Sequence, residues 1–299
     1  MINAVTKNRI SSLKKQYQLL FEKSPGAVRE ITMAELPEMV YNSNAIENST
    51  LSLKETSDII MLDKIAKDHD IREIYEAKNL AEVMVDLLDS PQRQINNSTI
   101  LSMHRTLLTK IQDNIAGRYR QGKEWVRIGA HVGANPDFVP GLMQALIENW
   151  NIEDDTYFLN KIAYFHAEFE TIHPFVDGNG RIGRVLINQQ LVQCGYPPII
   201  IQNKSKHTDY YPLFDEYRLN GSHDGFTELF ALLLTESLHK RIARLTAPKI
   251  ILVSDWAKAN NIAGNSAANK AARQTIPAFR LNEKWMIAAD YKPQQKGIN

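Results

Sequence analysis

A run of twelve residues, from His173 to Arg184, constrains the fold more than any other part of the chain. Glycine is scarce in the sequence, with 14 in 299 residues, against an average share of about 7%. Yet Gly178, Gly180 and Gly183 stand within six positions of one another. Because glycine tolerates backbone conformations and close approaches that other residues do not, this crowding predicts a tight turn with an open backbone.

Helical periodicity lies on both sides of this run. Before it, five apolar residues recur at alternating steps of four and three, which places them on one helix face; they are Phe158, Ile162, Phe165, Phe169 and Ile172. Asp154 or Asp155 is a candidate N-cap for that helix. Further helical patterns cover 71–88, 98–111, 139–150, 181–194 and 226–245. Strand signals are confined to 125–128 and 285–288, so we expect a mainly α protein with two small hairpins.

Composition excludes several classes of protein. With 43% apolar and 23% charged residues, the chain can bury a core. Its 35 basic and 34 acidic residues nearly cancel, so no global field draws it to nucleic acid or to a membrane. The single cysteine, Cys194, excludes an intrachain disulfide and a zinc site built from cysteines. No apolar stretch reaches the length of about 18 residues that a membrane helix needs, and we expect a soluble, cytoplasmic protein.

The glycine pattern contains G-x-G-x-x-G, which also occurs in dinucleotide-binding folds. That interpretation requires a buried strand before the glycines and an acidic residue about twenty positions later. Here a helical stripe precedes them, and Asn203 stands at the later position with no acidic neighbour. No Gly-Lys-Ser/Thr follows, so a Walker A loop is excluded as well.

The same run supplies the parts of a polyphosphate site. Backbone N–H groups at a helix N-terminus form an anion cradle, and Arg181 and Arg184 lie three residues apart on its first turn. Asp177 is a hard oxygen ligand of the kind that suits Mg²⁺ next to phosphates. His173 is then the natural base for an attacking hydroxyl. Taken singly, each of these residues is explained better by packing or surface charge; their joint spacing reverses this and favours the site.

The run is similar, at every fixed position, to the Fic signature His-Pro-Phe-x-Asp-Gly-Asn-Gly-Arg-x-x-Arg. This resemblance, which extends more loosely over about 43–245, implies a Fic-fold helical core that transfers AMP from ATP to a Ser, Thr or Tyr hydroxyl of a target protein. It implies that His173 is the general base and that Asp177 holds the Mg²⁺ between the α and β phosphates. It assigns the anion pocket to Gly178, Asn179 and Gly180, and the β and γ phosphates to Arg181 and Arg184.

Two more segments resemble family features around the active site. One is similar to a β-hairpin flap that pairs with the backbone of the target, with an ordinary surface loop as the alternative; its residues are Arg127, Ile128, Gly129, Ala130, His131 and Val132. His131 is expected to be an exposed side chain and not a second catalyst. The other resembles the lining of the adenine pocket, formed by Tyr210, Tyr211 and Asn220.

A third segment, upstream, resembles the family's inhibitory motif, Ser/Thr-x-x-x-Glu-Gly/Asn, in a helix at about 33–48. Its residues here are Ser43, Glu47 and Asn48. The resemblance implies that Glu47 pairs with Arg184 and so keeps ATP from a productive pose. A solvated glutamate near a helix end is the alternative.

The C-terminal part differs from the rest of the chain. Two short helical patterns within 254–273, separated by a turn at 261–264, have helix-turn-helix spacing, and 275–287 resembles the wing of excisionase-like winged-helix domains. We therefore expect a body at 1–245, a connector at 246–251 and a small winged helix-turn-helix domain at 252–299. Such a domain would present Asn269, Lys270 and Arg273 to a DNA groove, although many such domains bind protein.

The sequence leaves other functions open. The same residues could remove AMP or transfer another nucleotide, because the cradle recognises phosphates more strongly than the base. A nucleotide-sensing DNA-binding regulator is the alternative from another class. The expected partners are ATP, a protein with a hydroxyl side chain and, through the C-terminal domain, DNA; no membrane partner is expected, and a homo-oligomer is left open.

Overall fold

The structure is a computed structural model that describes residues 2–65, 69–129 and 131–293. Most of these residues are helical, as the sequence predicts. The helices are α1 (Ala4–Lys23), α2 (Pro25–Ala34), α3 (Leu36–Ile46), α4 (Leu53–Leu62), α5 (Ile71–Asp89), α6 (Asn97–Leu108), α7 (Val139–Asn151), α8 (Phe158–Ile172), α9 (Asn179–Gln193), α10 (Tyr211–Asn220), α11 (Asp224–Thr246), α12 (Val253–Ala259) and α13 (Gly264–Ala272). The strands are β1 (Arg127–Ile128), β2 (His131–Val132), β3 (Ile250–Leu252), β4 (Phe279–Leu281) and β5 (Lys284–Ala288).

The helix that carries the apolar stripe lies where the stripe predicts it, but its N-cap differs from the expectation. Tyr157 occupies the N-cap of α8 without a side-chain hydrogen bond. Asp154 instead accepts a hydrogen bond from the backbone N–H of Thr156 at 3.0 Å, which closes a turn before the helix begins. The aspartate cap was therefore a wrong prediction, because a local turn competes for the same carboxylate.

The strands form one hairpin and one small sheet, where the sequence predicted two hairpins. Strands β1 and β2 pair in antiparallel fashion, with Ile128 opposite His131. The second sheet has the order β3-β5-β4 and is antiparallel throughout. The sequence analysis missed β3, because a strand of three residues carries too little alternation to be recognised.

The described residues separate into two compact units, 35–230 and 2–34 with 231–293. In the first unit α9 is the central helix, since nearly all of its residues are buried, including the polar Asn188, Gln189 and Gln190. It packs against α3, α5, α6 and α8. The buried face of α8 includes the predicted stripe, of which Ile162, Phe165, Phe169 and Ile172 are buried.

The second unit has a core of its own around Trp256, which packs with side chains of α12, α13 and the three-stranded sheet. Gln274, which follows α13, forms hydrogen bonds with two other helices of the unit. Its carbonyl accepts a hydrogen bond from Arg9 of α1 at 2.8 Å, and its side-chain oxygen accepts one from His239 of α11 at 2.8 Å. The winged helix-turn-helix assignment and the connector at 246–251 stay predictions. Among the described residues, no helix has the length and apolar character needed to cross a membrane.

Candidate active site

His173 ends α8 in the left-handed conformation, with φ of 53° and ψ of 65°. Its backbone N–H still donates to the Phe169 carbonyl at 2.9 Å. Its ring nitrogen Nδ1 lies 3.3 Å from the Glu170 carbonyl and 3.5 Å from the Glu170 carboxylate. With Nδ1 donating to these oxygens, Nε2 is the nitrogen that can accept a proton, and the carboxylate stabilises the imidazolium that results.

Arg120 holds this unusual backbone in place. The side chain is only 1% exposed, and its Nε donates to the His173 carbonyl at 2.7 Å. Its Nη2 donates to the carbonyls of Ile172, at 2.9 Å, and of Ala134. Burial lowers the pKa of Arg120. One buried guanidinium thus joins the end of α8 to the segment that follows β2.

The loop after His173 leads into the N-terminus of α9. Gly178 stands at the N-cap with φ of 82°, a conformation that favours glycine. The first N–H groups of the helix, from Asn179 onwards, have no partner inside it, and these residues line a cleft. The Asn179 amide, however, accepts from the Phe175 N–H and donates to the Phe175 carbonyl, both at 2.8 Å. Its side chain therefore closes the loop, and the donors that can still meet an anion are its backbone N–H and the second N–H of Nδ2.

Asp177 is surrounded by positive groups. Its Oδ2 accepts from Arg72 at 2.5 Å, and its Oδ1 accepts from the Gly178 N–H at 2.6 Å and from Arg181 at 3.1 Å. Burial acts to raise the pKa of Asp177, but Arg181, the Gly178 N–H and Arg72 together hold it below its ordinary value. Glu76 completes the cluster, because its Oε1 lies 3.0 Å from Arg72 Nε and 2.9 Å from Arg181 Nη1. The carboxylate of Asp177 is therefore ionised and held at the cleft.

His104 fixes the backbone under Asp177. Its Nδ1 accepts a hydrogen bond from the Gly117 N–H at 3.0 Å, so the proton is on Nε2, which donates to the Asp177 carbonyl at 3.0 Å. The ring stacks on Phe175, with 3.7 Å between ring centroids. Burial lowers the pKa of His104 to about 4, which keeps the imidazole neutral.

Arg184 is bound by the segment that contains Ser43 and Glu47. Its Nη2 donates to Glu47 Oε1 at 2.7 Å and to the Ser43 carbonyl at 2.9 Å, and its Nε donates to Ser43 Oγ at 2.9 Å. Burial acts to lower the pKa of Arg184, but the Glu47 carboxylate, together with Tyr210 and Glu170, raises it above its ordinary value. Asn48 follows with φ of 69°, a conformation that asparagine tolerates better than most residues. The expected contact between Glu47 and Arg184 is present.

The Glu47 carboxylate also lies directly over the glycine turn. A Cβ atom added to Gly180 would stand 2.3 Å from Glu47 Oε1, so glycine is needed here for a close approach. Two clefts meet at this point. The aspartate cleft, of about 740 Å³, contains Asp177 and Arg181, and the tyrosine cleft, of about 770 Å³, contains Arg184 and Tyr211. Both are lined by Glu47, Ile128, His173 and Gly180.

The three residues assigned to an adenine pocket have different positions. Tyr210 lines the tyrosine cleft but is largely buried, and its hydroxyl lies 2.7 Å from Nε2 of the buried His166. Tyr211 lines the tyrosine cleft and donates its hydroxyl to the Ile46 carbonyl at 3.0 Å. Asn220 is exposed at the end of α10, accepts from the Ser222 N–H at 2.8 Å and does not line the cleft. Besides Tyr211, the α10 residues that line it are Phe214, Asp215, Arg218 and Leu219.

Four of the flap residues line the clefts. Ile128 lines both of them, Arg127 lines the aspartate cleft, and Gly129 and His131 line the tyrosine cleft. His131 Nε2 lies 3.0 Å from the Thr171 carbonyl, which anchors the hairpin to α8 and uses the ring in a structural bond. Val132 is exposed, and Ala130 lies outside the described residues.

Several residues of this site were not predicted from the sequence: Arg72, Glu76, His104, Arg120, His166 and Lys206. Their partners are backbone carbonyls, ion-pair partners in distant segments or, for His166, the Tyr210 hydroxyl, so no local spacing marks them. A metal cluster of three or more His, Cys, Asp or Glu side chains is also absent from the part of the chain that the structure describes. A single carboxylate such as Asp177, ionised and facing a cleft, nevertheless fits Mg²⁺ that takes its other ligands from phosphates and water.

Comparison with known proteins agrees with this geometry. A model of the Fic/DOC family matches residues 94–191. The chain is 30% identical over 225 residues to "Protein adenylyltransferase Fic" of Drosophila persimilis, covering 72% of this chain and 44% of that protein. It is 33% identical over 183 residues to the protein of the same name from Nematostella vectensis, covering 59% and 42%. The chain thus spans less than half the length of these relatives.

Solved structures agree with the sequence comparisons. A Fic domain-containing signalling protein from Bacteroides thetaiotaomicron superimposes with a TM-score of 0.72 at 25% identity, over 79% of this chain and 96% of the other. Residues 134–508 of Fic-1 from C. elegans superimpose with a TM-score of 0.69 at 25% identity, over 80% and 72%. These similarities confirm the expected Fic fold.

Proposed function

Residues 94–191 of this chain form a domain of the Fic/DOC family, and from that premise we propose that the protein is an adenylyltransferase that modifies other proteins. In the proposed reaction a Ser, Thr or Tyr hydroxyl of the target attacks the α phosphorus of ATP. The hydroxyl proton passes to His173 Nε2, an O–P bond forms to the target, and the bond between the α phosphorus and the bridging oxygen breaks. The products are AMP-modified protein and pyrophosphate.

The observation that carries this proposal is the position of His173 between the two clefts and beside the α9 N-terminus. A base next to an anion cradle suits attack of a hydroxyl on a phosphate. Arg181 and Arg184 lie on the first turns of the same helix and supply positive charge for the phosphates. Mg²⁺ bound at Asp177 would neutralise phosphate charge. Residues of the flap line both clefts, where its backbone can pair with an extended segment of the target.

A labelling experiment tests the reaction. The Glu47→Gly protein is incubated with a protein substrate and with ATP labelled on either the α or the γ phosphate. We expect covalent label on protein from α-labelled ATP only, and none when His173 is also changed to Ala. The His173→Ala change should leave ATP affinity nearly intact, because the imidazole acts on the hydroxyl and not on the phosphates. Transfer of the γ label would indicate a kinase, and labelling without His173 would remove its assigned role.

We further propose that the resting enzyme is inhibited by Glu47. Its carboxylate pairs with Arg184 at 2.7 Å and lies over Gly180, in the space where a phosphate would meet the cradle. An anion entering there would be repelled by the carboxylate and would lack Arg184 as a ligand. These two contacts support a state in which ATP does not reach the geometry for in-line attack.

A further inference from the structure

Four charged side chains form a closed ring at the edge of the aspartate cleft: Arg72, Glu76, Asp177 and Arg181. Positive and negative groups alternate around it, with separations of 2.5 Å from Arg72 to Asp177, 3.0 Å from Arg72 to Glu76, 2.9 Å from Arg181 to Glu76 and 3.1 Å from Arg181 to Asp177. All four line the cleft. The ring is neutral as a whole and places two guanidinium groups next to the glycine turn.

Arg72 differs from the other arginine of the ring in its exposure to solvent. Its side chain is 41% exposed, whereas that of Arg181 is 4% exposed. Arg72 stands in the first turn of α5 and lies outside the 173–184 signature. Its Nε bonds to Glu76 while its Nη2 bonds to Asp177, so Nη2 can leave the carboxylate without loss of the bond to Glu76.

The ring has a consequence for the divalent ion. Asp177 Oδ2 is occupied by Arg72, and Oδ1 is shared by Arg181 and the Gly178 N–H. A cation arriving alone would meet a neutralised carboxylate and two guanidinium groups, which is unfavourable. A polyphosphate arriving with the cation changes this balance, because its oxygens can accept the hydrogen bonds that Asp177 gives up.

We propose that Arg72 is a third phosphate-binding arginine of the nucleotide site, held on Asp177 and Glu76 until a nucleotide arrives. This inference rests on the proposed use of ATP and Mg²⁺. When the nucleotide enters, Arg72 exchanges the Asp177 carboxylate for a phosphate oxygen and frees that carboxylate for the metal. Glu76 keeps both guanidinium groups aligned throughout. Metal and nucleotide binding are therefore coupled through one side chain.

The test is a set of calorimetric titrations on the full chain in the Glu47→Gly background, with and without Arg72→Ala. The control variant is Lys78→Ala, which removes a positive charge from the same helix at a residue that pairs with Asp63 outside the cleft. Each protein is titrated with ATP in the absence of metal and with Mn²⁺ in the absence of nucleotide. Thermal unfolding of each variant checks that it is folded.

We expect Arg72→Ala to weaken metal-free ATP binding about tenfold or more, as loss of a charge-assisted contact does. The same variant should bind Mn²⁺ alone about tenfold more tightly, because Asp177 loses a competing cation. Lys78→Ala should change neither affinity. Unchanged ATP affinity in Arg72→Ala, or an equal loss of ATP affinity in Lys78→Ala, would overturn this inference but not the proposed function. If the Glu47→Gly parent bound no ATP at all, the proposed function would fail and the inference with it.

Discussion

His173 has a left-handed backbone, which costs a residue other than glycine about 1 kcal/mol or more. Strain of this kind persists only where the surroundings enforce it. Here the group that enforces it is Arg120, whose guanidinium donates to the carbonyl before His173, that of Ile172, and to the carbonyl of His173 itself. The position of His173, the proposed base, therefore depends on a residue 53 positions earlier in the chain.

The first prediction at this scale is that Arg120→Lys impairs catalysis without removing a charge. A lysine cannot reproduce the fork that serves four carbonyls, those of Glu124, Ala134, Ile172 and His173. We expect the free energy of unfolding to fall by about 1.5–3 kcal/mol and the transfer rate to fall about tenfold or more, with ATP affinity nearly unchanged. The control is Arg118→Lys, because Arg118 pairs with Glu124 at a more exposed position. Wild-type transfer by Arg120→Lys would show that the fork does not position the base.

The second prediction concerns pH and His104. Burial lowers its pKa to about 4 from 6.5, so between these values the unfolded chain binds a proton that the folded protein does not. Stability therefore decreases as pH falls through this window, with a slope of about 1.4 kcal/mol per pH unit for one full proton. We expect His104→Gln to reduce this slope by up to about 1.4 kcal/mol per pH unit, the value for one proton. The slope is measured by urea unfolding at several pH values. An unchanged slope would mean that His104 is not buried as the neutral form.

The sequence could predict that the signature residues lie together, because their spacing is local, and most of them line the two clefts. It could not predict how Asn179 is used. An amide four residues from Phe175 can bond to that residue's backbone or to an anion, and only the loop conformation decides between them. Arg72 and Arg120 could not be predicted as residues of the site for a different reason, because their partners lie 105 and 53 positions away in the sequence.

At the scale of elements, the helices that border the site could largely be predicted. The stripe of α8 has few interruptions, and α5, α7 and α11 begin within two residues of their expected positions. The start of α9 was placed at 181 and lies at Asn179, because glycine-rich turns give weak boundary signals. Strand β3 of the C-terminal sheet was not predicted because it is only three residues long, and its pairing with β5 depends on long-range contacts.

Glu47 directly follows the last residue of α3, so the end of this helix determines its position. Lys206 forms hydrogen bonds with that end of the helix. Its Nζ donates to the Ile46 carbonyl and to Asn48 Oδ1, both at 2.9 Å, and to the Ala45 carbonyl at 3.2 Å. A cation at a helix C-terminus binds the unpaired carbonyls and is favoured by the helix dipole. Lys206 is thus expected to favour the inhibited position of Glu47.

The prediction at this scale is that Lys206→Met raises AMP transfer above the wild-type rate, about fivefold, since such contacts contribute about 1 kcal/mol. Asn48→Gly should have a smaller effect, because it tolerates the positive φ and removes only one of the three contacts. Lys54→Met is the control, since Lys54 pairs with Asp58 on α4. A transfer rate that stays at or below that of the wild type would mean that Lys206 does not hold Glu47 in place.

At the scale of the whole molecule, the expected C-terminal domain is only part of the second compact unit, which also contains α1, α2 and much of α11. The sequence could not show this, because the contacts join the two ends of the chain. The bond between Arg9 and Gln274 spans 265 positions. Periodicity within a segment carries no information about such a partner.

Removal of the residues after Lys249 tests this arrangement. Arg9 and His239 would then lose Gln274 as a partner, so we expect faster amide hydrogen exchange in α1. Exchange in α8 and α9, which belong to the first unit, should stay slow, and ATP binding should persist. Unchanged exchange in α1 would indicate that these bonds contribute nothing to its stability, whereas loss of protection throughout would contradict the division into two units.

The proposed pairing of Glu47 with Arg184 blocks a site that transfers AMP. The most direct test is the rate of AMP transfer by the wild type, Glu47→Gly and the double variant Glu47→Gly with Arg184→Ala. Deleting the carboxylate frees Arg184 and removes negative charge from the space above Gly180. Since each ~1.4 kcal/mol is a factor of ten in rate, we expect activation of about tenfold or more. The double variant should lose this gain, because the freed arginine is what binds the phosphate. Equal activation with and without Arg184, or no activation by Glu47→Gly, would contradict the account.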